Sequence, residues 1–171
     1  MKSPLALEST ILFVDDETDL LEILTFQIKP FVNEIVTASS ANAALKLLEK
    51  KEVDLIVTDF KIPEMTGVEL ITAMRGIQPQ IPILMLTGFK EETAILKALN
   101  QDLFDIVEKP VRPEVLMLRI QHALLQGYLL EVLNIHFQEK MSGEEKLKYE
   151  KMDLHNQRKA LYRYAGMMPR V

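Results

Sequence analysis

The run Ile11-Leu12-Phe13-Val14 offers no polar side chain to either side of a pleat. A strand with one wet face alternates apolar and polar residues; a run without alternation fits a strand covered on both faces. Further short runs follow at 34–38, 53–58, 81–86 and 104–107, and stretches of helical spacing lie between them. Regular alternation of strand and helix predicts an α/β fold: a parallel sheet with helices on both faces. Right-handed crossovers should join the strands.

Local signals sharpen this order. Leu20, Leu21, Ile23, Leu24 and Ile28 place a helix over 19–29, and Pro30 ends it because proline lacks an amide hydrogen. The 34–38 run is more polar, as an edge strand would be. Ser40 can cap a helix over 41–50 whose buried stripe is Ala44, Leu47 and Leu48. Pro63 and Gly67 punctuate a loop, and a helix over about 68–75 follows. Another covers about 91–100, with Glu91 and Glu92 in its first turn, where they suit the helix dipole. Pro113 sits well in the first turn of the next helix.

The apolar runs end in chemically loaded residues: Asp15-Asp16, Asp59, Thr87 and Lys109-Pro110. In open parallel sheets ligands bind beyond the carboxyl ends of the strands, so these residues should share one rim. Two unit charges ~4 Å apart repel by ~4 kcal/mol at an effective dielectric of 20. Three neighbouring carboxylates therefore need a cation, and an all-oxygen donor set favours Mg²⁺. Lys109 adds a mobile positive charge and Thr87 a hydroxyl. Asp59 is then the expected nucleophile, because acyl phosphates form on carboxylates once the developing charge is neutralised. Taken alone, Asp15-Asp16 is more often a turn and helix cap. The joint pattern carries the functional reading.

Phe13-Val14-Asp15-Asp16-Glu17, the run Val57-Thr58-Asp59-Phe60-Lys61-Ile62-Pro63-Glu64-Met65-Thr66-Gly67, Met85-Leu86-Thr87-Gly88 and Val107-Glu108-Lys109-Pro110 resemble the four signatures of bacterial response-regulator receiver domains. The motifs occur in the family's order and spacing across about residues 8–125. The resemblance implies a flavodoxin-like, doubly wound five-stranded parallel sheet of order 2-1-3-4-5. It implies that Asp59 is the phosphoacceptor, charged by a sensor histidine kinase or phosphotransfer protein. Asp16 would bind Mg²⁺ directly, Asp15 directly or through water, and the Lys61 backbone carbonyl would complete the protein ligands with Asp59. Lys109 would pair with the phosphoryl group, Thr87 would turn to hydrogen-bond it, and a cis peptide before Pro110 would aim Lys109. Such a protein is not an enzyme in the ordinary sense; it assists its own phosphorylation and dephosphorylation, then switches a downstream protein partner.

One departure stands out. Where the family usually has Tyr or Phe three residues before the lysine, this chain has Ile106. Ile cannot make the ring displacement that couples the site to the face formed by the 91–100 helix, the 104–107 strand and the helix from Pro113. Phe104 points to the same side by strand alternation and is a candidate substitute. Lys61 and Phe89 occupy the family's variable positions beside the site, and their bulk and charge predict slow self-dephosphorylation. Haloacid-dehalogenase phosphatases also use an Asp after the first strand, but they need Asp-x-Asp, which Asp15-Asp16-Glu17-Thr18 lacks.

Composition closes off other classes. The chain has no Cys, so disulfides and thiolate metal sites are excluded. His122, His136 and His155 lack zinc-site spacing. No apolar run approaches ~18 residues, and the N-terminus does not read as a signal peptide, which places the protein in the cytoplasm without membrane insertion.

Residues 126–171 read as a helical extension. The helix from Pro113 runs to about 137 and is apolar on more than one side. Leu116, Ala123, Leu130 and Phe137 recur every seven residues, but Ile120, Gly127, Asn134 and Met141 make a poor coiled-coil partner set. Dimerisation, docking of a partner or packing against the tail is expected instead. Ser142-Gly143 breaks the helix, and Ser142 with Glu145 has capping-box spacing for a new one, striped by Leu147, Leu154 and Leu161. Charge also changes here: residues 139–171 hold eight Lys or Arg against five Asp or Glu, the rest of the chain 12 against 20. The basic end is expected to be partly mobile. The alternative output is a transcriptional or RNA-binding regulator using this tail; four basic residues after Asp153 and two Tyr argue weakly for nucleic acid.

Overall fold

Successive residues of the apolar runs do go to opposite sides of one sheet. A computed structural model describes residues 8–63, 65–88, 105–152 and 154–165. In it β1 (Thr10–Val14), β2 (Glu34–Ala38), β3 (Leu55–Asp59), β4 (Ile83–Thr87) and β5 (Asp105–Glu108) pair in parallel in the order β2-β1-β3-β4-β5. On one face Leu12, Val14, Ile56, Ile83 and Met85 meet Ala44 and Leu48 of α2 (Ala41–Lys50) and Leu70 and Met74 of α3 (Gly67–Ile77). On the other, Ile11, Phe13, Leu55, Val57, Leu84 and Leu86 meet Leu21, Leu24 and Ile28 of α1 (Thr18–Ile28) and the first half of α4 (Pro113–Glu139). Each fully buried aliphatic or Phe side chain contributes about 1.5–3 kcal/mol. Two apolar layers meeting on β1, β3 and β4 explain why those runs show no alternation.

Element ends follow the local chemistry. Pro30 stops α1, and Lys29–Phe31 form a single 3-10 turn. The Ser40 hydroxyl caps α2 by accepting from the Ala43 N–H at 3.2 Å. The buried stripe of α2 is Ala41, Ala44 and Leu48, whereas Leu47 is only half-buried. The third strand starts at Leu55 rather than 53, because the Asp54 carboxylate turns back to accept from the Thr10 N–H at 2.8 Å. The fourth starts at Ile83 rather than 81. A short ribbon, Lys61–Ile62 against Met65–Thr66, leads into α3. Thr66 and Glu69 cap that helix reciprocally, a capping box that spans the loop's end. The expected 91–100 helix, Phe89 and Phe104 lie outside the described residues.

Beyond the sheet, α4 continues to 27 residues, about 40 Å. The tail was expected as one helix from Ser142; the described residues form two, α5 (Gly143–Glu150) and α6 (Leu154–Tyr164). Ser142 and Glu145 do form a capping box. The turn at Lys151 and Met152 resets the helical phase, so the expected stripe holds only in part: Leu161 is buried, Leu147 is 54% exposed, the Leu154 side chain lies outside the described ones, and among the described side chains Tyr149 is buried as well. Both helices fold back on α4, which is the packing-against-the-tail outcome. The Phe137 ring meets Tyr149 edge-on at 5.4 Å and Tyr164 at 4.8 Å. Tyr149 donates its hydroxyl to Asn134 Oδ1 at 3.1 Å.

Candidate functional site

Three strand ends and one loop build the site. β1 carries Phe13 and Val14 into the core and releases Asp15, 1% exposed, and then Asp16, which is exposed. The Asp15 carboxylate does two things. Oδ1 accepts the Glu17 N–H at 2.9 Å, the turn expected of such a residue, and Oδ2 accepts from Lys109 Nζ at 3.0 Å. One carboxylate therefore both closes the turn and pairs with the lysine.

β3 ends on Asp59, whose Oδ1 accepts the Phe60 N–H at 2.9 Å and lies 3.3 Å from Lys109 Nζ. Phe60 N–H also reaches the Leu86 carbonyl at 2.9 Å, which ties the Asp59 loop to β4. Thr87 ends β4 fully buried, and its carbonyl accepts the Lys109 N–H at 2.7 Å. The Lys109–Pro110 peptide is cis, as the motif led one to expect. Thus Asp15, Asp59, Thr87 and Lys109 converge as expected.

Two residues belong at this rim that the sequence reading did not place there. Glu17 Oε1 sits 3.7 Å from Lys109 Nζ. It lies in the first motif, but nothing in its spacing tells which acids would face a lysine 92 positions on. Gly67 is the second: a Cβ there would stand 2.7 Å from the Phe60 ring and 3.0 Å from the Phe60 carbonyl. Glycine lets the start of α3 pass close to the residue that follows Asp59.

The electrostatics are those of several carboxylates gathered around one lysine. Burial raises the Asp59 pKa above the ordinary aspartate value; Lys109 opposes the rise, and the Asp15 charge adds to it. Burial alone would lower the Lys109 pKa, but the hydrogen bond to Asp15 and the charges of Asp59 and Asp15 outweigh it, and the net shift is upward. Lys109 is therefore a firm cation. One carboxylate oxygen from each of Asp15, Asp16 and Asp59 lies within 4.8 Å of the other two. That hard, all-oxygen set fits Mg²⁺. Lys61 lies two residues past Asp59 in the ribbon, with its side chain exposed. Ile106 packs half-buried against the α2–α3 side of the core.

Comparison with known proteins agrees with this geometry. The family model described as "Response regulator receiver domain" matches residues 11–121. The transcriptional regulatory protein GlrR of Escherichia coli is 32% identical over 117 residues, 68% of this chain and 26% of its own length. The alkaline phosphatase synthesis transcriptional regulatory protein PhoP of Bacillus subtilis is 30% identical over 134 residues, 78% of this chain and 56% of its own. This chain thus spans about a quarter to a half of these curated relatives. A crystal structure of a response regulator receiver domain protein from Clostridium thermocellum superposes with a TM-score of 0.66 at 28% identity, covering 71% of this chain and 98% of that one.

Proposed function

Because the chain belongs to the response-regulator receiver family, we propose that it works in a phosphorelay, taking a phosphoryl group onto Asp59 from a sensor histidine kinase or phosphotransfer protein. The observation that carries this is Lys109 Nζ held between Asp15 Oδ2 and Asp59 Oδ1, at 3.0 and 3.3 Å, beside a third carboxylate. A carboxylate oxygen of Asp59 attacks phosphorus. The P–N bond to the donor imidazole breaks as the P–O bond forms, and the imidazole leaves with a proton. Asp15, Asp16, Asp59 and the Lys61 carbonyl would hold Mg²⁺, which when bound neutralises charge on the transferring group. Lys109, released from Asp59, follows the new phosphoryl oxygens. Thr87 supplies a hydroxyl donor to them.

Phosphorylation then changes the surface that a downstream protein partner reads, and the C-terminal helices join two copies. The reading places the protein in the cytoplasm; among the described residues no helix is long and apolar enough to cross a membrane. The domain boundary falls near 125, with 126–171 as the extension. Incubation with acetyl phosphate and Mg²⁺ should shift the chain on a phosphate-affinity gel, and Asp59→Asn should abolish the shift. An unshifted native protein, or a shifted Asp59→Asn variant, would overturn the assignment. GlrR and PhoP are transcriptional regulatory proteins, which favours a second output, transcriptional control. A salt-sensitive DNA or RNA gel shift by this chain would support nucleic-acid contact through the basic tail.

A further inference from the structure

The sheet has a second end, opposite the rim. There the segment 78–82, which feeds β4, and the middle of α4 enclose a cavity of about 380 Å³. Small-molecule sites span about 300–1,000 Å³. Ile77, Ile81 and Pro82 form one wall, and Leu124, Tyr128 and Leu130 of α4 form the other. Asn134 and Gln80 also line the cavity, and both reach the tail. Asn134 accepts the Tyr149 hydroxyl at 3.1 Å, and Gln80 donates to Gln157 of α6 at 3.4 Å.

The wall is fixed from outside. Arg75 Nη1 donates to the carbonyls of Pro79 and Ile81. Gln78 Nε2 donates to the carbonyls of Leu48 and Lys51 at 3.1 and 2.9 Å. A wall already in place costs a ligand little ordering. Gly127 shows that the space is kept open. It lines the cavity from within α4, where glycine is less stable than alanine. A Cβ at 127 would meet Pro82 at 3.4 and 3.5 Å, ordinary contact distances. Close packing therefore does not demand glycine here, and what the missing side chain leaves is room.

The charges name the ligand. Among the described lining residues every charged group is an acid: Glu52, Asp54 and Glu131. The Thr10 N–H holds Asp54 at 2.8 Å. Among the described residues, only the rim triad forms an acidic group compact enough for a metal ion. The three acids here are spread around an apolar space with an aromatic wall. We propose that this cavity is a binding site for a small organic cation, an amine, amidine or guanidine carried on an apolar body. The apolar walls take the body, the acids take the charged head, and Tyr128 suits a cation against its ring.

The test is titration calorimetry of the full chain with benzamidine, its neutral isostere benzamide and the anion benzoate. Excess Mg²⁺ screens the rim carboxylates throughout. Benzamidine should bind once per chain, about tenfold more tightly than benzamide, the ratio expected between charge-assisted and neutral hydrogen bonds. Benzoate should not bind. Gly127→Leu fills the cavity and should abolish benzamidine binding without lowering the melting temperature. Glu52→Gln with Glu131→Gln should weaken benzamidine about tenfold and leave benzamide unmoved, whether or not leucine is accepted at 127. No saturable benzamidine binding overturns the site, as does unchanged binding in a folded Gly127→Leu chain. Benzamide or benzoate binding as tightly as benzamidine, or an unchanged affinity in the double-Gln variant, overturns the assignment to a cation.

Discussion

The rim and the tail are both made where elements run out of sheet to cover, yet they are held differently. At the rim, Lys109 Nζ contacts carboxylates of Asp15, Asp59 and Glu17 at 3.0–3.7 Å, and each group hangs from the end of a strand buried on both faces or from the turn beside it. In α5 and α6, Tyr149 and Leu161 are the buried residues among the described side chains, and one aromatic cluster joins these helices to α4. Charge near a rigid frame makes a precise but strained site. A few apolar contacts on short helices make an attachment that can open by itself. The rim and the tail are therefore expected to differ in stiffness.

The largest expected effect breaks the rim. Asp59→Asn should remove all labelling by acetyl phosphate and at the same time stabilise the metal-free fold. The folded Asp59 carboxyl has a raised pKa, so the folded state holds its proton more tightly than the unfolded chain does. Stability then falls as pH rises from the ordinary aspartate range through the folded pKa, and the loss persists at neutral pH. The Lys109 pKa is raised as well, so its linkage has the same sign in a different window: its contribution is fully present below the ordinary lysine value and is lost only as pH rises into alkali. At pH 7, Asp59→Asn should melt a few degrees higher than the native chain; a gain of about 1 kcal/mol corresponds to ~2–4 °C for a chain of this size. The gain should shrink on acidification. An Asn variant that melts lower at pH 7 would show that Lys109 already outweighs the burial and the repulsion from Asp15.

Next in size is the tail. Tyr149→Ala removes a 3%-exposed ring, its edge-on contact with Phe137 and its hydrogen bond to Asn134. Truncating a buried aromatic costs about 3–5 kcal/mol, more than two short helices are expected to hold. Hydrogen exchange should show α5 and α6 open, while β1, β3 and β4 keep their protection. Loss of protection across the sheet would mean that the tail is part of the receiver's cooperative unit, and the contrast between the regions would collapse.

A smaller change probes the rim without touching a charge. Gly67→Ala sets a Cβ 2.7 Å from the Phe60 ring and 3.0 Å from its carbonyl. Overpacking of this kind costs about 1–3 kcal/mol. Since Phe60 N–H bonds Asp59 Oδ1, labelling by acetyl phosphate should slow several-fold. Gly76→Ala is the control, because nothing lies within 4 Å of a Cβ there. If both variants label at the native rate, Phe60 does not transmit the strain.

The same contrast explains what could be read beforehand. The strands and their terminal Asp15, Asp59, Thr87 and Lys109 were legible because double burial keeps charged residues out of the interior of β1, β3 and β4 and leaves them to the ends; Thr58, the polar residue within β3, donates its hydroxyl to the Asp59 carbonyl. The cap at Ser142 was legible because its partner Glu145 is three residues away. Glu17 was not, because its contact with Lys109 depends on where two loops meet. The two-helix tail was not either. A heptad count assumes one continuous helix, and the turn at Lys151 cancels that assumption. The buried side of the first half of α4 was not legible for a related reason: that helix is apolar on more than one side, and only the fold decides which side is covered.

The smallest expected effect compares one device in both regions. Thr66 with Glu69 and Ser142 with Glu145 form the same capping box, one opening α3 and the other α5. In both, hydrogen bonds from the backbone and hydroxyl of the cap residue lower the glutamate pKa. Each box therefore stabilises the fold above the ordinary glutamate pKa and is lost as pH falls through the lowered value. Replacing a Ser or Thr cap by Ala costs about 1 kcal/mol, but the place where that loss appears should differ. α3 is anchored by Leu70, Ile71 and Met74, all in the core. Thr66→Ala should therefore lower the melting temperature of the whole receiver slightly and leave local exchange in α3 nearly unchanged. α5 buries only Tyr149, so Ser142→Ala should speed exchange in α5 about fivefold, the factor that ~1 kcal/mol implies, with the receiver's melting unmoved. Equal responses to the two substitutions would mean that α5 is held as firmly as α3, which one buried side chain does not support.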